Sequence, residues 1–517
     1  MPRSLLLTGK KLTREEFYDV ALRYRRVAIA PRAREVMKRS RAVIERMIAE
    51  KKVVYGVTTG VGSLSTEHID PHQARQLQLN IVRSHACGVG GPLGAAETRG
   101  ILLLRANAMA TGLSGARPLV ADLLCQFLNH GIHPLVPERG SVGASGDLAP
   151  LAHVALALVG EGEVNVVRNP GRLPRREVCT AAGVALAQAG LKPLALAAKE
   201  GLSLVNGTQV MQSLGLLALR QAEILVDTAD VAGALSLDAL RGSPVAFDER
   251  LQRARPHAGQ LTTAKNLLRL NRGSTIRRSH LNCARVQDAY SLRCMPQVHG
   301  TARDALAYAA RVFEIEMNSV TDNPLVFARD GEVVSGGNFH GQPLATALDL
   351  MAIVMTQLSG ISERRIDRMV NPLTSDLPPF LAGSPGLESG LMLAQVTAAA
   401  LASENKVMAH PASVDSIPTS GNKEDYVSMG ATAALKLQAI LANVARILAV
   451  ELIVSSRAID LLAPLHTGTL AQRARETVRR TSQALDHDRS ISPDMARLAQ
   501  LVLDGAFARL LRPRGWT

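Results

Sequence analysis

The sequence predicts a mainly α protein, with a core of long helices and a smaller, mixed N-terminal region. Three observations carry that prediction. Hydrophobic residues make up 47% of the 517 positions and charged residues 20%, a balance that builds a large buried core and argues against disorder. Aromatic residues are only 3%, so the core must be aliphatic, made of the Ala, Leu and Val that fill packed helices. Apolar residues also recur at helical spacing through long stretches of the second half. At this length, two or more packed units or one elongated helical body are expected. The change of character at Asn206 divides the chain into 1–205 and 206–517.

In the N-terminal region, shorter helical segments alternate with Gly-rich loops, among them YGVTTGVGS (Tyr55 to Ser63) and GSVGASGD (Gly140 to Asp147). A strand pair is expected where EVNVV and REV flank Asn169-Pro170-Gly171, because turn residues sit between apolar runs. A second hairpin is expected at LVFARDGEVVSG, where Asp330-Gly331 is a strong turn signal. Beyond Asn206, Leu306, Ala309, Ala310, Phe313 and Met317 fall on one helical face. Leu437, Ile440, Leu441, Val444 and Leu448 do the same in a segment apolar nearly all round, which marks a helix buried in a bundle. Two more long helices are expected over 348–369 and 391–408, joined by the Pro/Gly loop NPLTSDLPPFLAGSPG.

The formal charge of +14 raises a nucleic-acid partner, but the Arg residues are scattered and few aromatics are available for base stacking. A solvated basic surface that attracts anionic substrates fits better. The five cysteines, Cys87, Cys125, Cys179, Cys283 and Cys294, form neither a disulfide framework nor a zinc pattern. The three-Leu stretch near the N-terminus is too short for a signal peptide, and apolar runs such as Leu151 to Val159 fall short of a membrane span. A cytoplasmic protein with no membrane partner and no metal is expected.

Ala144-Ser145-Gly146 carries the chemistry. A glycine amide, lacking a Cβ beside it, can approach and attack a carbonyl two residues back in a tight turn. Ala is small enough to let the ring close, and Ser can lose its hydroxyl as water to leave an electrophilic methylidene. As a bare tripeptide the string is a common loop. Its setting gives it weight: SVGASGDLAPLAHVALALVGEG places it directly before a helix, with Pro150 in the first turn. Free N–H groups and positive partial charge at that helix start would stabilise negative charge developing in such a ring. From Tyr55 to about Leu452 the chain closely resembles the ammonia-lyases and aminomutases that carry 4-methylidene-imidazol-5-one (MIO), the electrophile that this tripeptide forms autocatalytically.

That resemblance assigns roles. Tyr55 in YGVTTGVG would be the base that removes the β-proton of the substrate. An ordinary phenol titrates near pH 10, so the base needs donors around its oxygen. Val61 stands where the family often has Phe, which alters packing and removes no functional group. Asn206 in NGTQ, with Gln287 and Tyr290 in QDAYSLRCMPQ, would surround the prosthetic group, and Phe339 in SGGNFHGQP would pack beside it. Arg293 would pair with the substrate carboxylate through its guanidinium fork.

Two places bear on the substrate. Ser84-His85 resembles the Ser-His pair of histidine ammonia-lyases, although some tyrosine aminomutases share it. Glu424, in PTSGNKEDYVSMG, stands where histidine lyases have Glu and phenylalanine or tyrosine enzymes generally have Gln. A carboxylate can accept an imidazole N–H and is poorly matched to a phenyl ring. Lys423 departs from the usual Gln; it either pairs with Glu424 or points to solvent from the first turn of the next helix. The resemblance thus implies an ammonia-lyase acting on L-histidine to give trans-urocanate. The rival readings are a tyrosine or related lyase or 2,3-aminomutase, and, furthest off, a non-catalytic helical scaffold. It further implies an antiparallel long-helix bundle of the ammonia-lyase/fumarase kind, a homotetramer with shared active sites, and no diffusible cofactor.

Overall fold

A computed structural model describes residues 4–168, 176–281 and 286–512. The chain forms two compact units, each assembled from three stretches. The first comprises Met1–Leu217, Ala310–Leu348 and Pro411–Leu435; the second comprises Ala218–Ala309, Asp349–His410 and Lys436–Thr517. Four long helices, Gln209–Ala239, Met295–Glu316, Gln342–Val370 and Gly430–Asp460, each contribute residues to both.

All the sheets among the described residues lie in the first unit, and all are small. Leu5–Leu7 pairs in parallel with Val27–Ile29. Glu163–Arg168 pairs with Arg176–Ala181 as expected and adds Ile132–Pro134 on its other edge. The turn at Asn169-Pro170-Gly171 lies outside the described residues, as do Cys283 and Trp516. Leu325–Phe327 and Glu332–Val334 form the second hairpin, with Gly331 at φ +69° supplying the left-handed turn.

Local signals place the helix ends. Thr13 and Glu16 close a reciprocal capping box at the start of Arg14–Ala21. Pro118 opens Pro118–His130, and Gly131 ends it in the left-handed conformation. A buried cluster of Val43, Ile44, Met47, Val54, Val57 and Val326 packs the segment around Tyr55 against the Pro31–Ala49 helix and the hairpin. Val54 and Val57 flank Tyr55, so burial of the neighbours fixes where the phenol emerges.

In the second unit, Leu437, Ile440, Leu441, Val444 and Leu448 are all fully buried, each contributing about 1.5–3 kcal/mol. The core also holds charge. Arg365 and Glu451, both 0% exposed, form a two-pronged pair at 2.5 and 2.9 Å, and the Glu451 carboxylate also accepts the Ser236 and Ser362 hydroxyls. Against the expectation from unbroken apolar runs, Gln342–Val370 and Gly430–Asp460 are long and apolar enough to cross a membrane. Scattered polar residues such as Asn443 and Glu451 interrupt the runs while the average stays high. Most of their apolar stretch is buried inside the protein, as in core helices.

Candidate active site

The loop 140–147 leads from the strand Pro137–Arg139 into the helix Leu148–Leu158, whose first turn holds Pro150. Gly146 has φ +75°, and a Cβ there would lie 2.2 Å from the carbonyl oxygen of Gly207. Only glycine fits, because the two backbones bridge directly: Asp147 N–H donates to the Gly207 oxygen at 2.7 Å. Asp147 precedes its own helix but does not cap it. Its buried carboxylate instead accepts the Val210 and Met211 N–H groups at 3.1 and 2.9 Å, free donors at the start of Gln209–Ala239, and the Ser141 hydroxyl at 3.0 Å. Burial pushes this carboxyl up to about 6, against those hydrogen bonds.

The 419–430 segment docks on the same loop. Met429 N–H donates to the Val142 oxygen at 2.9 Å and the Ser428 hydroxyl to the Gly143 oxygen at 3.1 Å. This brings Glu424 to Ser145, whose hydroxyl donates to Oε1 at 2.8 Å; the Thr419 hydroxyl donates to Oε2, also at 2.8 Å. One acceptor direction on each oxygen remains.

A cavity of about 620 Å³ is lined by Tyr55, Ala144, Ser145, Asn206, Phe339 and Glu424, among others. The structure therefore brings together six of the residues singled out from sequence. The Tyr55 oxygen accepts the Gly62 N–H at 2.9 Å, a donor of the kind a phenolate needs. Buried Gln78 ties this loop to its neighbours: its Nε2 donates to the Gly56 oxygen at 3.2 Å, and its Oε1 accepts the Leu202 N–H at 3.1 Å. Gln78 belongs to the helix Ala74–His85, and Leu202 to the helix Glu200–Val205 that leads into Asn206.

A second cavity, of about 290 Å³, is lined by Ser84, His85, Ala144, Gly146 and Glu424, together with Cys87. Ala144 and Glu424 thus face both. The Ser84 hydroxyl lies 3.1 Å from His85 Nδ1. Burial pulls the imidazole below its ordinary value, opposed by the Ile81 carbonyl and the charge of Glu424.

Gln287, Tyr290 and Arg293 belong to the second unit, the last two on the short helix Tyr290–Arg293. Gln287 and Tyr290 are exposed. The Arg293 guanidinium stacks 4.6 Å over the Tyr290 ring, and its Nε is buried without a hydrogen-bond partner. Lys423 lines the larger cavity from a turn and not from a helix, since the next helix begins at Gly430.

Sequence reasoning missed Asp147, Gln78 and Thr419. The one available signal was an Asp directly before a helix, which reads as an ordinary cap.

The residues present fit an Ala-Ser-Gly prosthetic group. The glycine position admits no side chain, Ala144 is buried, and the Oδ1 of Asn206 is a buried acceptor without a partner at the cavity wall. Among the described residues, no group of three or more His, Cys, Asp or Glu side chains is placed to hold a metal ion.

The sequence profile of the aromatic amino acid lyases matches residues 12–480. The chain belongs to that family. A histidine ammonia-lyase of Koribacter versatilis is 53% identical over 99% of this chain and 100% of its own length. The crystal structure of histidine ammonia-lyase from Trypanosoma cruzi superposes with a TM-score of 0.89 at 40% identity, covering 98% of this chain and 95% of that one. The tyrosine aminomutase of Streptomyces globisporus superposes at 0.91 with 38% identity, over 98% of each chain. As an aromatic amino acid lyase with such relatives, the protein is a carbon–nitrogen lyase.

Proposed function

We propose that this lyase removes ammonia from L-histidine to give trans-urocanate, using an MIO group made from Ala144, Ser145 and Gly146. The observation that carries the reading is the position of Glu424, whose carboxylate stands beside Ser145 and faces both the cavity of Tyr55 and that of His85. When formed, MIO supplies an electrophilic methylidene. The chain's own residues do the rest. Tyr55 takes the β-proton of the substrate on its phenol oxygen, where the Gly62 N–H supports the charge. Glu424 accepts the imidazole N–H through its remaining acceptor directions, and His85, kept neutral by burial, offers a second polar contact to the ring. Asn206 turns its unpartnered Oδ1 to the reacting end of the substrate. Loss of the amino group and the β-proton leaves the conjugated acid and ammonia.

Gln287, Tyr290 and Arg293 enter through assembly. In a homotetramer with shared sites, as the family resemblance implies, they come to each site from a neighbouring subunit, where Arg293 pairs with the carboxylate. No diffusible cofactor or metal takes part, and the cytoplasm is the expected compartment.

The test is ammonia release with product identification from L-histidine, L-tyrosine and L-phenylalanine in separate incubations. Urocanate from histidine alone supports the reading. Ammonia or a β-amino acid from tyrosine, with histidine inert, makes the protein a tyrosine lyase or aminomutase. Ser145→Ala must abolish turnover without unfolding the chain, and the wild-type peptide bearing 144–146 must weigh less than its sequence by two waters, one from ring closure onto the Ala144 carbonyl and one from the Ser145 hydroxyl. A variant that kept wild-type turnover would remove MIO from the account.

A further inference from the structure

Gln78 joins three stretches of chain that carry site residues of the first unit. It is fully buried on the helix Ala74–His85, about two turns before His85. Its carboxamide works in two directions, donating from Nε2 to the Gly56 carbonyl and accepting the Leu202 N–H on Oε1. Gly56 follows Tyr55 directly and has φ +64°, a backbone with the freedom that glycine brings. A bond to its carbonyl fixes what the residue type leaves loose. Leu202 lies in the first turn of Glu200–Val205, whose N-cap Lys199 offers no side-chain bond, so Gln78 satisfies a free helix donor from outside. The Leu202 carbonyl in turn accepts the Asn206 N–H at 2.9 Å.

Packing leaves this junction little slack. A Cβ at Gly56 would lie 2.3 Å from Leu202 Cδ2, and one at Gly201 would lie 2.6 Å from the carbonyl oxygen of Gln78. The side-chain chemistry is equally specified. The Gly56 carbonyl needs a donor and the Leu202 N–H an acceptor, both bonds are buried, and a carboxamide supplies one of each. Gln78 is not among the residues lining either cavity.

We infer that Gln78 is a positioning residue for the elimination. Through its two hydrogen bonds it sets the Tyr55 oxygen relative to Asn206 and His85, and so aims the base at the β-proton. The inference rests on Tyr55 acting as that base, and the experiment separates the two.

The kcat and KM for L-histidine are measured on the wild type, Gln78→Met, Gln78→Glu and Tyr55→Phe, per folded subunit that has lost the two waters at 144–146. Gln78→Met keeps the bulk and deletes both bonds. Its kcat should fall about 10- to 100-fold with KM within about twofold, the cost of a small misplacement of a reacting group. Gln78→Glu can donate to Gly56 only while protonated, and burial raises a carboxyl above its ordinary value near 4.3. Its kcat should lie within about threefold of the wild type near pH 6 and fall a further tenfold or so, relative to the wild type, by about pH 9. The helical signal in circular dichroism should stay constant over that range. A ratio flat with pH, an unchanged kcat in Gln78→Met, or a loss confined to KM would overturn the positioning role and leave the proposed function intact. Wild-type turnover in Tyr55→Phe would overturn the base and the positioning role with it. If histidine is inert, the histidine reading falls, and the same comparison on the amino acid that is deaminated decides the role of Gln78.

Discussion

The hydroxyl of Ser145 and the carboxylate of Glu424 meet at 2.8 Å across 279 residues of sequence. Once Ser145 has given up its hydroxyl to ring formation, the Thr419 hydroxyl still holds the side chain. An amide oxygen at 424 can accept it, so Glu424→Gln keeps this anchor while removing the charge and one acceptor. We expect kcat/KM for histidine to fall about 10- to 100-fold, the weight of a hydrogen bond to a charged group. Unchanged kinetics with histidine would remove Glu424 from substrate recognition.

Tyr55→Phe deletes the oxygen that accepts the Gly62 N–H and little else, since Val54 and Val57 bury the segment on either side. Loss of a general base predicts a drop in kcat of about 10²- to 10⁴-fold with KM nearly constant. A variant altered in KM alone would make Tyr55 a binding residue.

Gly146→Ala sets a Cβ against the Gly207 carbonyl at 2.2 Å in a left-handed backbone. The strain costs about 1–3 kcal/mol before the clash is relieved, and relief must part the 146–207 bridge. Thermal denaturation should show a lower midpoint, and activity should vanish. A variant as stable and as active as the wild type would contradict this geometry.

Asp147 gives a pH signature. Its carboxyl is raised from 3.8 to about 6 by burial, so the folded state binds its proton more tightly than the unfolded chain does. Its contribution to stability is therefore full below about pH 4 and is lost as pH rises through about 6. Urea midpoints of the wild type, taken relative to Asp147→Asn, should fall across that window and level off above it. A difference that rises with pH would reverse the sign and sink the assignment.

Arg365 and Glu451 test the second unit. Arg365→Met leaves Glu451 buried and uncompensated, at a cost of about 3–5 kcal/mol. The double change Arg365→Met/Glu451→Met should be milder, because no lone charge remains. Denaturant titration of the wild type and the two variants decides; a double variant less stable than Arg365→Met would show that the pair itself holds the core together.

The sequence revealed what periodicity and turn chemistry control. Leu437 to Leu448 marks a buried helix because one face repeats every three to four residues, and Asp330-Gly331 marks a hairpin because its backbone needs φ > 0. The site residues of the first unit were legible through motifs, each a short string with its own chemistry. The contacts between those strings were not. Nothing local pairs Gly146 with Gly207 or turns Asp147 toward Val210 and Met211. Buried charge was hidden for a similar reason. Arg105 and Lys199 are fully buried beside Asp322, yet a lone Arg or Lys in a sequence reads as surface.

The interleaving of the two units also governs how the chain must be made. The first unit is complete only when Leu435 has emerged, 218 residues after Leu217. At about 5–20 residues per second, a ribosome leaves the N-terminal stretch waiting roughly 10–40 s for its remaining segments. Through that interval the nascent chain exposes apolar surface that no later local event can cover. Expression yield should therefore depend on chaperone supply more than the stability of the finished protein would indicate.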